Sequence, residues 1–345
     1  MRIIHTTSNL KKFTILFLLI GCLVSGSMFG YAVKGAASST LSATDLQKDQ
    51  LITSPSSRGI AYFPSVFKVN YSGLRFAVIG DYGNGSQAEA DVAALVKSWN
   101  PDLIITTGDN NYPDGEADTI DENIGQFFHQ FIFPYTGSFG EGAQENRFFP
   151  SLGNHDWHAP GAQPYLDYFT LPGNERYYDF TWGPVHFFVI DSDSDEPDGA
   201  DSESIQANWL QSRLSTSDSI WKIVYMHHSP YSSGKHGSKG RMQWPFAEWG
   251  ADVVLSGHDH TYERISKDGI LHFVNGLGGS SKYDFLDIVE GSQARYNEDY
   301  GAMLVEVSGD VIHFQFINRQ GSVIDDFELT KHITNSFTLI QQTMP

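Results

Sequence analysis

Residues 74–83 have the sequence LRFAVIGDYG, and residues 103–112 have the sequence LIITTGDNNY. Each stretch opens with a short apolar run that is typical of a buried strand, and residues 88–99 between them carry apolar side chains at helical spacing. The order strand, helix, strand predicts a βαβ unit of a parallel sheet. Asp81 and Asp109 then lie just past the carboxyl ends of the two strands, where the ligand sites of such sheets gather.

Similar patterns continue along the chain. The strands expected before residue 260 are Leu74–Ile79, Leu103–Thr106, 148–152, 177–181, 185–190, 222–226 and Val253–Ser256. Later strands are expected at 270–274, 303–307, 311–316 and 323–329, and the clearest further helix at 205–214. The length of 345 residues allows one large α/β or β-sandwich domain as readily as two small domains.

Hard metal ligands occur in five short segments, each at or after the end of an expected strand: Gly80-Asp81-Tyr82-Gly83, Gly108-Asp109-Asn110-Asn111-Tyr112, Gly153-Asn154-His155-Asp156, His227-His228-Ser229-Pro230 and Gly257-His258-Asp259-His260. Any one of them could be an ordinary turn, but turns do not account for all five in this order. Their oxygen and imidazole groups suit iron, zinc or manganese. Two such cations about 3.5–4 Å apart can bind phosphoryl oxygens and lower the pKa of a bound water. The segments therefore predict a phosphoester hydrolase.

In this order the segments resemble the signature of the calcineurin-like metallophosphoesterases, and Tyr112 narrows the resemblance to the purple acid phosphatases, including the tartrate-resistant type. The sequence HDHTYER at residues 258–264 strengthens it, because a Tyr-Glu-Arg after paired histidines recurs in that family. The resemblance covers roughly residues 74–317. It implies an α/β (α+β) fold of four layers, αββα, in which two mixed β-sheets pack face to face with helices outside.

The resemblance also implies a ligand set for two metal ions. Fe(III) would be bound by Asp81, Asp109, Tyr112 and His260, and a divalent ion (Fe, Zn or Mn) by Asp109, Asn154, His228 and His258. In the family, the ligand histidine directly precedes a small residue and a proline, which here are Ser229 and Pro230. His228 is therefore preferred over its neighbour His227, whose side chain is expected to point away from the metal. A free phenol has a pKa of about 10, so Tyr112 would need a strongly acidifying ion to bind as phenolate. An acid pH optimum follows.

Two further histidines are expected to face the substrate. His155 follows the ligand Asn154, and His236 follows His228 by eight residues. An imidazolium can donate a proton to the leaving alkoxide, so both are the candidate catalytic residues. Asp156 could orient His155.

The N-terminus indicates export. Basic residues precede an uncharged, apolar run at residues 13–33, and small residues follow it. Three forms stay open: a cleaved signal, a retained membrane anchor, or a lipoprotein joined through Cys22. We expect residues 1–37 to be this segment, 38–73 a linker and edge segment, 74–330 the metallophosphoesterase domain and 331–345 a tail. The protein would then be secreted, periplasmic or membrane-tethered.

Charge and cysteine content exclude several classes. The formal net charge of −19 argues against nucleic acid as a partner. Cys22 is the sole cysteine, so intramolecular disulfides, thiolate zinc sites and cysteine nucleophiles are excluded. The expected partner is a small phosphate ester, with membrane contact only through the N-terminal segment and the oligomeric state open.

We expect hydrolysis of phosphomonoesters, with a metal-activated hydroxide attacking phosphorus. Two alternatives stay open. One is a phosphodiesterase or nucleotidase of the same superfamily, since the metal core is common to both. The other is a non-catalytic exported protein that binds metal or phosphate.

Overall fold

The computed structural model describes residues 73–331. The expected export segment, the linker up to residue 72 and the tail from residue 332 lie outside the described residues. Among residues 73–331, no helix combines the length and the apolar character that a membrane span requires.

Thirteen strands and six α-helices make up this part of the chain. The strands are β1 (Leu74–Ile79), β2 (Leu103–Thr106), β3 (Phe148–Pro150), β4 (Tyr178–Trp182), β5 (Val185–Val189), β6 (Trp221–Tyr225), β7 (Val253–Ser256), β8 (Tyr262–Lys267), β9 (Ile270–Asn275), β10 (Ser292–Tyr296), β11 (Gly301–Ser308), β12 (Val311–Asn318) and β13 (Val323–Thr330). The α-helices are α1 (Gln87–Ser98), α2 (Gln126–Phe128), α3 (Asn154–Trp157), α4 (Gln163–Tyr168), α5 (Ile205–Thr216) and α6 (Phe246–Trp249).

The strands form two mixed sheets. The first has six strands in the order β13-β12-β11-β1-β2-β3, with β1, β2 and β3 parallel and the remaining pairs antiparallel. The second has seven strands in the order β10-β8-β9-β7-β6-β5-β4, and its central strands β5, β6, β7 and β9 are parallel. The expected architecture of two mixed sheets with flanking helices is confirmed.

Apolar side chains hold the layers together. Between the sheets, the ring of Phe76 meets that of Phe187 with centroids 5.1 Å apart, and Phe273 meets Phe314 at 4.9 Å. A second buried cluster, which includes Leu210, covers the outer face of the second sheet beneath α5 and α6. Burial of each such side chain stabilises the fold by about 1.5–3 kcal/mol.

Helix α1 shows how local sequence sets an element. It begins after Ser86, whose Oγ accepts a hydrogen bond from the backbone N–H of Glu89. The Glu89 carboxylate in turn accepts from the backbone N–H groups of Asn84 and Gly85, so the loop leading from Asp81 to the helix is fixed. Residues 88–99 are the predicted helix, and the structure agrees to within one residue at each end.

Candidate metal centre

The ligand-bearing segments leave the carboxyl ends of strands in both sheets. Asp81 follows β1 by two residues, Asp109 follows β2, and Asn154 opens α3 after β3. His258 follows β7 by two residues. Asp81, Asp109 and His258 have positive φ values of 54°, 52° and 69°. Left-handed backbone at a non-glycine residue costs about 1–3 kcal/mol and persists where surrounding structure enforces it, often at functional sites.

Asp81, Tyr112 and His260 form one half of the site. His260 Nε2 lies 3.2 Å from Asp81 Oδ1, and the Tyr112 hydroxyl lies 3.3 Å from the same Nε2. His260 Nδ1 lies 2.9 Å from the carbonyl oxygen of Ser281. Because a carbonyl only accepts, Nδ1 carries the proton, and Nε2 directs its lone pair at Asp81 and Tyr112.

His227, Asn154 and His258 form the other half. His227 Nδ1 lies 2.8 Å from the carbonyl oxygen of Thr107, so it is the donor nitrogen. Its Nε2 lone pair then faces Asn154 Oδ1 at 3.1 Å, His258 Nδ1 at 3.1 Å and Asp109 Oδ1 at 3.3 Å. Asp109 joins the halves, because its Oδ2 lies 3.0 Å from the Tyr112 hydroxyl.

This donor set fits metal ions. Asp81, Asp109 and His227 are fully buried or nearly so, and their ligand atoms lie within 4.8 Å of one another. Lone pairs that meet in a buried space repel unless a cation or a proton lies between them. Burial lowers the pKa of His227, but the Asp109 and Asp81 carboxylates outweigh burial and raise it, so protons compete with metal here.

The geometry differs from the sequence-based preference for His228, because the close group of ligand atoms contains His227 instead. His228 borders the cluster, with its ring 4.3 Å from that of His258, and its Nδ1 lies 3.0 Å from Ser192 Oγ on the outer side of the second sheet. The physical reason is the alternation of side chains along β6. Tyr225 packs between the sheets and Met226 on the outer face, so His227 continues on the inner side and His228 on the outer side. Strand alternation was the signal in the sequence that identifies His227.

His155 and His236 border the cluster on different sides. The His155 ring lies on the Tyr112 ring at 4.3 Å, and its Nε2 lies 4.0 Å from Asp109 Oδ2. The His236 ring stacks on that of His258 at 4.2 Å. That the two rings face the substrate and take part in proton transfer stays a prediction.

Asp156 does not orient His155. Its Oδ2 accepts hydrogen bonds from the backbone N–H of Gly153 and from the Asn110 amide, while His155 Nδ1 contacts the carbonyl oxygen of Pro113. Burial and the charge of Asp109 raise the pKa of Asp156 to about 7. Asp156 therefore holds the loops that carry the ligands together.

Supporting residues that the sequence did not single out are Thr107, Ser281, Tyr283 and Asp259. Asp259 lies between the paired histidines, and its carboxylate accepts from the backbone N–H of His236 and from Ser232 Oγ. It therefore fixes the loop of His236 to the segment that bears two candidate ligands. In the sequence, this supporting role was indicated by the position of Asp259 between the two histidines of the HDH motif.

Comparison with known proteins agrees with this geometry. The model of the calcineurin-like phosphoesterase family matches residues 74–262, more than half of the chain. Purple acid phosphatase 3 of Arabidopsis thaliana is 27% identical over 297 residues, which cover 74% of this chain and 78% of that protein. Purple acid phosphatase 22 of the same plant is 28% identical over 239 residues, which cover 63% of this chain and 52% of that protein.

Solved structures show the same fold. A purple acid phosphatase from yellow lupin seeds superposes with a TM-score of 0.56 at 19% identity, covering 76% of this chain and 55% of that chain. GAP50, described as the anchor in the inner membrane complex of Plasmodium, gives a TM-score of 0.60 at 20% identity, covering 75% of this chain and 89% of that chain.

The two sheets, the strand-end ligands and the family match together place this chain in the calcineurin-like phosphoesterase family. It is a metal-dependent phosphoester hydrolase, and the family implies a centre for two metal ions. Within the family, it is similar to the purple acid phosphatases.

Proposed function

We propose that this chain hydrolyses phosphomonoesters at acid pH, in the manner of a purple acid phosphatase. The observation that carries the proposal is the position of the Tyr112 hydroxyl, 3.0 Å from Asp109 Oδ2, 3.3 Å from His260 Nε2 and 3.4 Å from Asp81 Oδ1. Burial and the two carboxylates raise the pKa of Tyr112. A phenolate at acid pH therefore requires a strongly acidifying cation at this position.

Asp81, Asp109, Tyr112 and His260 would hold Fe(III). Asp109, Asn154, His227 and His258 would hold a divalent ion (Fe, Zn or Mn), with His227 in the place first given to His228. When bound, the two ions supply Lewis-acid activation of the phosphoryl group and of a water molecule.

The protein's own groups would supply the proton transfer. His155 Nδ1 faces the carbonyl oxygen of Pro113, which leaves Nε2 directed toward the cluster. His236 is an exposed residue, and its backbone N–H donates to Asp259 Oδ1. In the protonated form, either imidazole could donate to the departing alkoxide, and the contribution of a positioned acid is about 10²–10⁴-fold.

The charges of the site favour a small anionic substrate. Two aspartates and a phenolate bring three negative charges against five positive charges on an Fe(III)–M(II) pair. The site would be locally cationic in a chain with a net charge of −19. Such a centre selects compact phosphate esters over long polyanions such as nucleic acids.

Metal analysis with visible spectroscopy tests this proposal. The oxidised protein should hold about two ions and absorb in the visible region through tyrosinate bound to Fe(III), and Tyr112→Phe should remove the band. A colourless, fully active protein with two zinc or manganese ions would overturn the iron assignment. Comparable rates on 4-nitrophenyl phosphate and its bis ester would overturn the monoester preference in favour of the diesterase alternative.

We further propose that the protein is exported, on the strength of the apolar run at residues 13–33. Fractionation should find it outside the cytoplasm. Membrane association that survives Cys22→Ala would exclude lipidation at that residue and favour a retained helix.

A further inference from the structure

Tyr283 connects a metal-ligand candidate to a lysine at the mouth of the site. Its ring stacks on the ring of His260, with centroids 4.1 Å apart and planes 10° from parallel. The ammonium of Lys235 lies 4.5 Å from the centroid of the Tyr283 ring. Because His260 covers one face of the ring, Lys235 occupies the other. The order from the centre outward is therefore His260, Tyr283, Lys235.

Backbone contacts fix this arrangement. The N–H of Ser280 donates to the carbonyl oxygen of Asp81 at 3.0 Å, and the N–H of Tyr283 donates to that of His260 at 3.1 Å. On the other side, the N–H of His236, next to Lys235, donates to Asp259 Oδ1 at 2.6 Å. Hydrogen bonds therefore hold the segments of both Lys235 and Tyr283 against segments that bear candidate ligands.

Lys235 is also free to bind an anion. Within residues 73–331 it forms no ion pair with a carboxylate, although the whole chain has 41 acidic residues. Lys239 and Arg241, on the same loop, likewise form none in that range. An exposed cation–π contact contributes about 0.5–1 kcal/mol, which orders the lysine but leaves its N–H donors available.

The charge is reversed beside His155. A cavity of about 450 Å³ beside the site is lined by Asp114, Glu116, Asp118 and His158, and the His158 ring lies 4.8 Å from that of His155. A substrate with a second negative group would be repelled on this side. Its leaving group would be directed toward Lys235.

We propose that Lys235, held on Tyr283, forms a second anion subsite, which recognises a carboxylate or a further phosphate on the leaving group of the substrate. This inference rests on the proposed phosphomonoesterase function and specifies its substrate class: phosphomonoesters that carry a second anionic group. Lys235 determines specificity, and Tyr283 positions both Lys235 and His260.

A matched pair of substrates tests the subsite. 3-Carboxyphenyl phosphate and 3-carbamoylphenyl phosphate have leaving groups of the same shape, and they differ by one negative charge. The measurement is the ratio of their kcat/KM values. Lys235→Gln should lower the carboxylate-to-amide ratio by about tenfold, the size of one charge-assisted hydrogen bond. Calorimetric Kd values for the two corresponding non-hydrolysable phosphonates should change in the same direction.

The chain offers a control for charge alone. Lys282 lies next to Tyr283 in sequence, but its ammonium contacts the carbonyl oxygen of Glu298 and lies 5.4 Å from the Tyr300 ring. Lys282→Gln removes the same charge and should leave the ratio unchanged. Tyr283→Phe keeps the aromatic face and should keep the ratio, whereas Tyr283→Leu should lower it.

The outcomes separate the two proposals. If the metal-loaded protein hydrolyses neither substrate, the phosphomonoesterase function fails. If it hydrolyses both and Lys235→Gln leaves the ratio and the two Kd values unchanged, the subsite is wrong. An equal fall of the ratio in Lys282→Gln would also overturn it, because general charge would then explain the effect.

Discussion

Two adjacent histidines at the end of β6 have different surroundings, and single-residue geometry separates their roles. His227 lies between Thr107, Asn154, His258 and Asp109, whereas His228 binds Ser192 on the outer side of the sheet. Each ring is largely buried, so exposure alone does not distinguish them. The polar atoms that each ring contacts do.

Alanine variants of these histidines should therefore behave differently. His227→Ala removes a group from the second half of the site, and bound metal should fall from about two ions per chain toward one. Its kcat/KM should fall on the order of 10²-fold or more. His228→Ala, the matched control, should retain about two ions. Metal analysis after gel filtration checks both, and loss of metal from His228→Ala alone would restore the assignment first drawn from the sequence.

The other ligand candidates could be located from sequence because each closes a strand with a distinct short motif. The structure brings Asp81, Asp109, Tyr112, Asn154, His258 and His260 together. The supporting contacts could not be predicted, since Ser281 and Tyr283 reach His260 from a loop with no regular pattern. Their role depends on backbone conformation, which the residue types do not specify.

At the scale of elements, the turn after β2 shows how tightly the site is built. Gly108 has φ of +85°, and a Cβ placed there would lie 2.7 Å from the Cβ of His227. Glycine is therefore required at position 108 for two reasons: its positive φ, and the space that His227 fills.

Gly108→Ala should accordingly lower the free energy of unfolding by more than its backbone strain alone would. We expect a loss of unfolding free energy well above about 1 kcal/mol, together with reduced metal content, because His227 must move. Gly269 is a close control: its φ is +86°, and a Cβ added there would have no neighbouring atom within 4 Å. Gly269→Ala should cost about 1 kcal/mol and keep its metal. Equal destabilisation of the two variants, measured by urea unfolding, would show that crowding against His227 is unimportant.

Sequence patterns did not predict two of the strands, β8 and β10. In β8, Glu263 accepts hydrogen bonds from Ser233 and Ser292, so a charged residue can be fully buried there. β10 lies at the edge of its sheet and is mostly polar. Apolar periodicity detects strands that bury hydrophobic surface, and neither of these does so in a regular way.

For the whole molecule, the sequence identified most strands but not their pairing. β1 pairs with β11, more than 200 residues further along the chain, and this inserts an antiparallel strand next to the βαβ unit. Local patterns carry no information about such distant partners. The face-to-face sheets were expected only through the family resemblance, and the structure confirms them.

Polar contacts also link the two sheets. Asp325 of β13, in the first sheet, accepts hydrogen bonds from Tyr262 and Arg264 of β8, in the second. The Arg264 and Asp325 side chains are only 11% and 12% exposed, and Arg264 also lies over the Phe327 ring. Burial raises the pKa of Asp325, but the hydrogen bonds from Arg264 and Tyr262 outweigh it, and the net pKa is lowered.

Asp325→Asn should therefore destabilise the protein in a pH-dependent way. At neutral pH we expect a loss of about 1–2 kcal/mol, because Arg264 is left without its charged partner. Since the folded pKa lies below the unfolded value of about 3.9, this contribution is present above that value and disappears as the pH falls through the folded pKa. The difference in urea midpoint between wild type and variant should thus be larger at pH 7 than at pH 3. Asp326→Asn is the control, because Asp326 is 57% exposed and pairs with His313 inside one sheet. An effect of Asp326→Asn as large as that of Asp325→Asn would exclude a particular role for the contact between sheets.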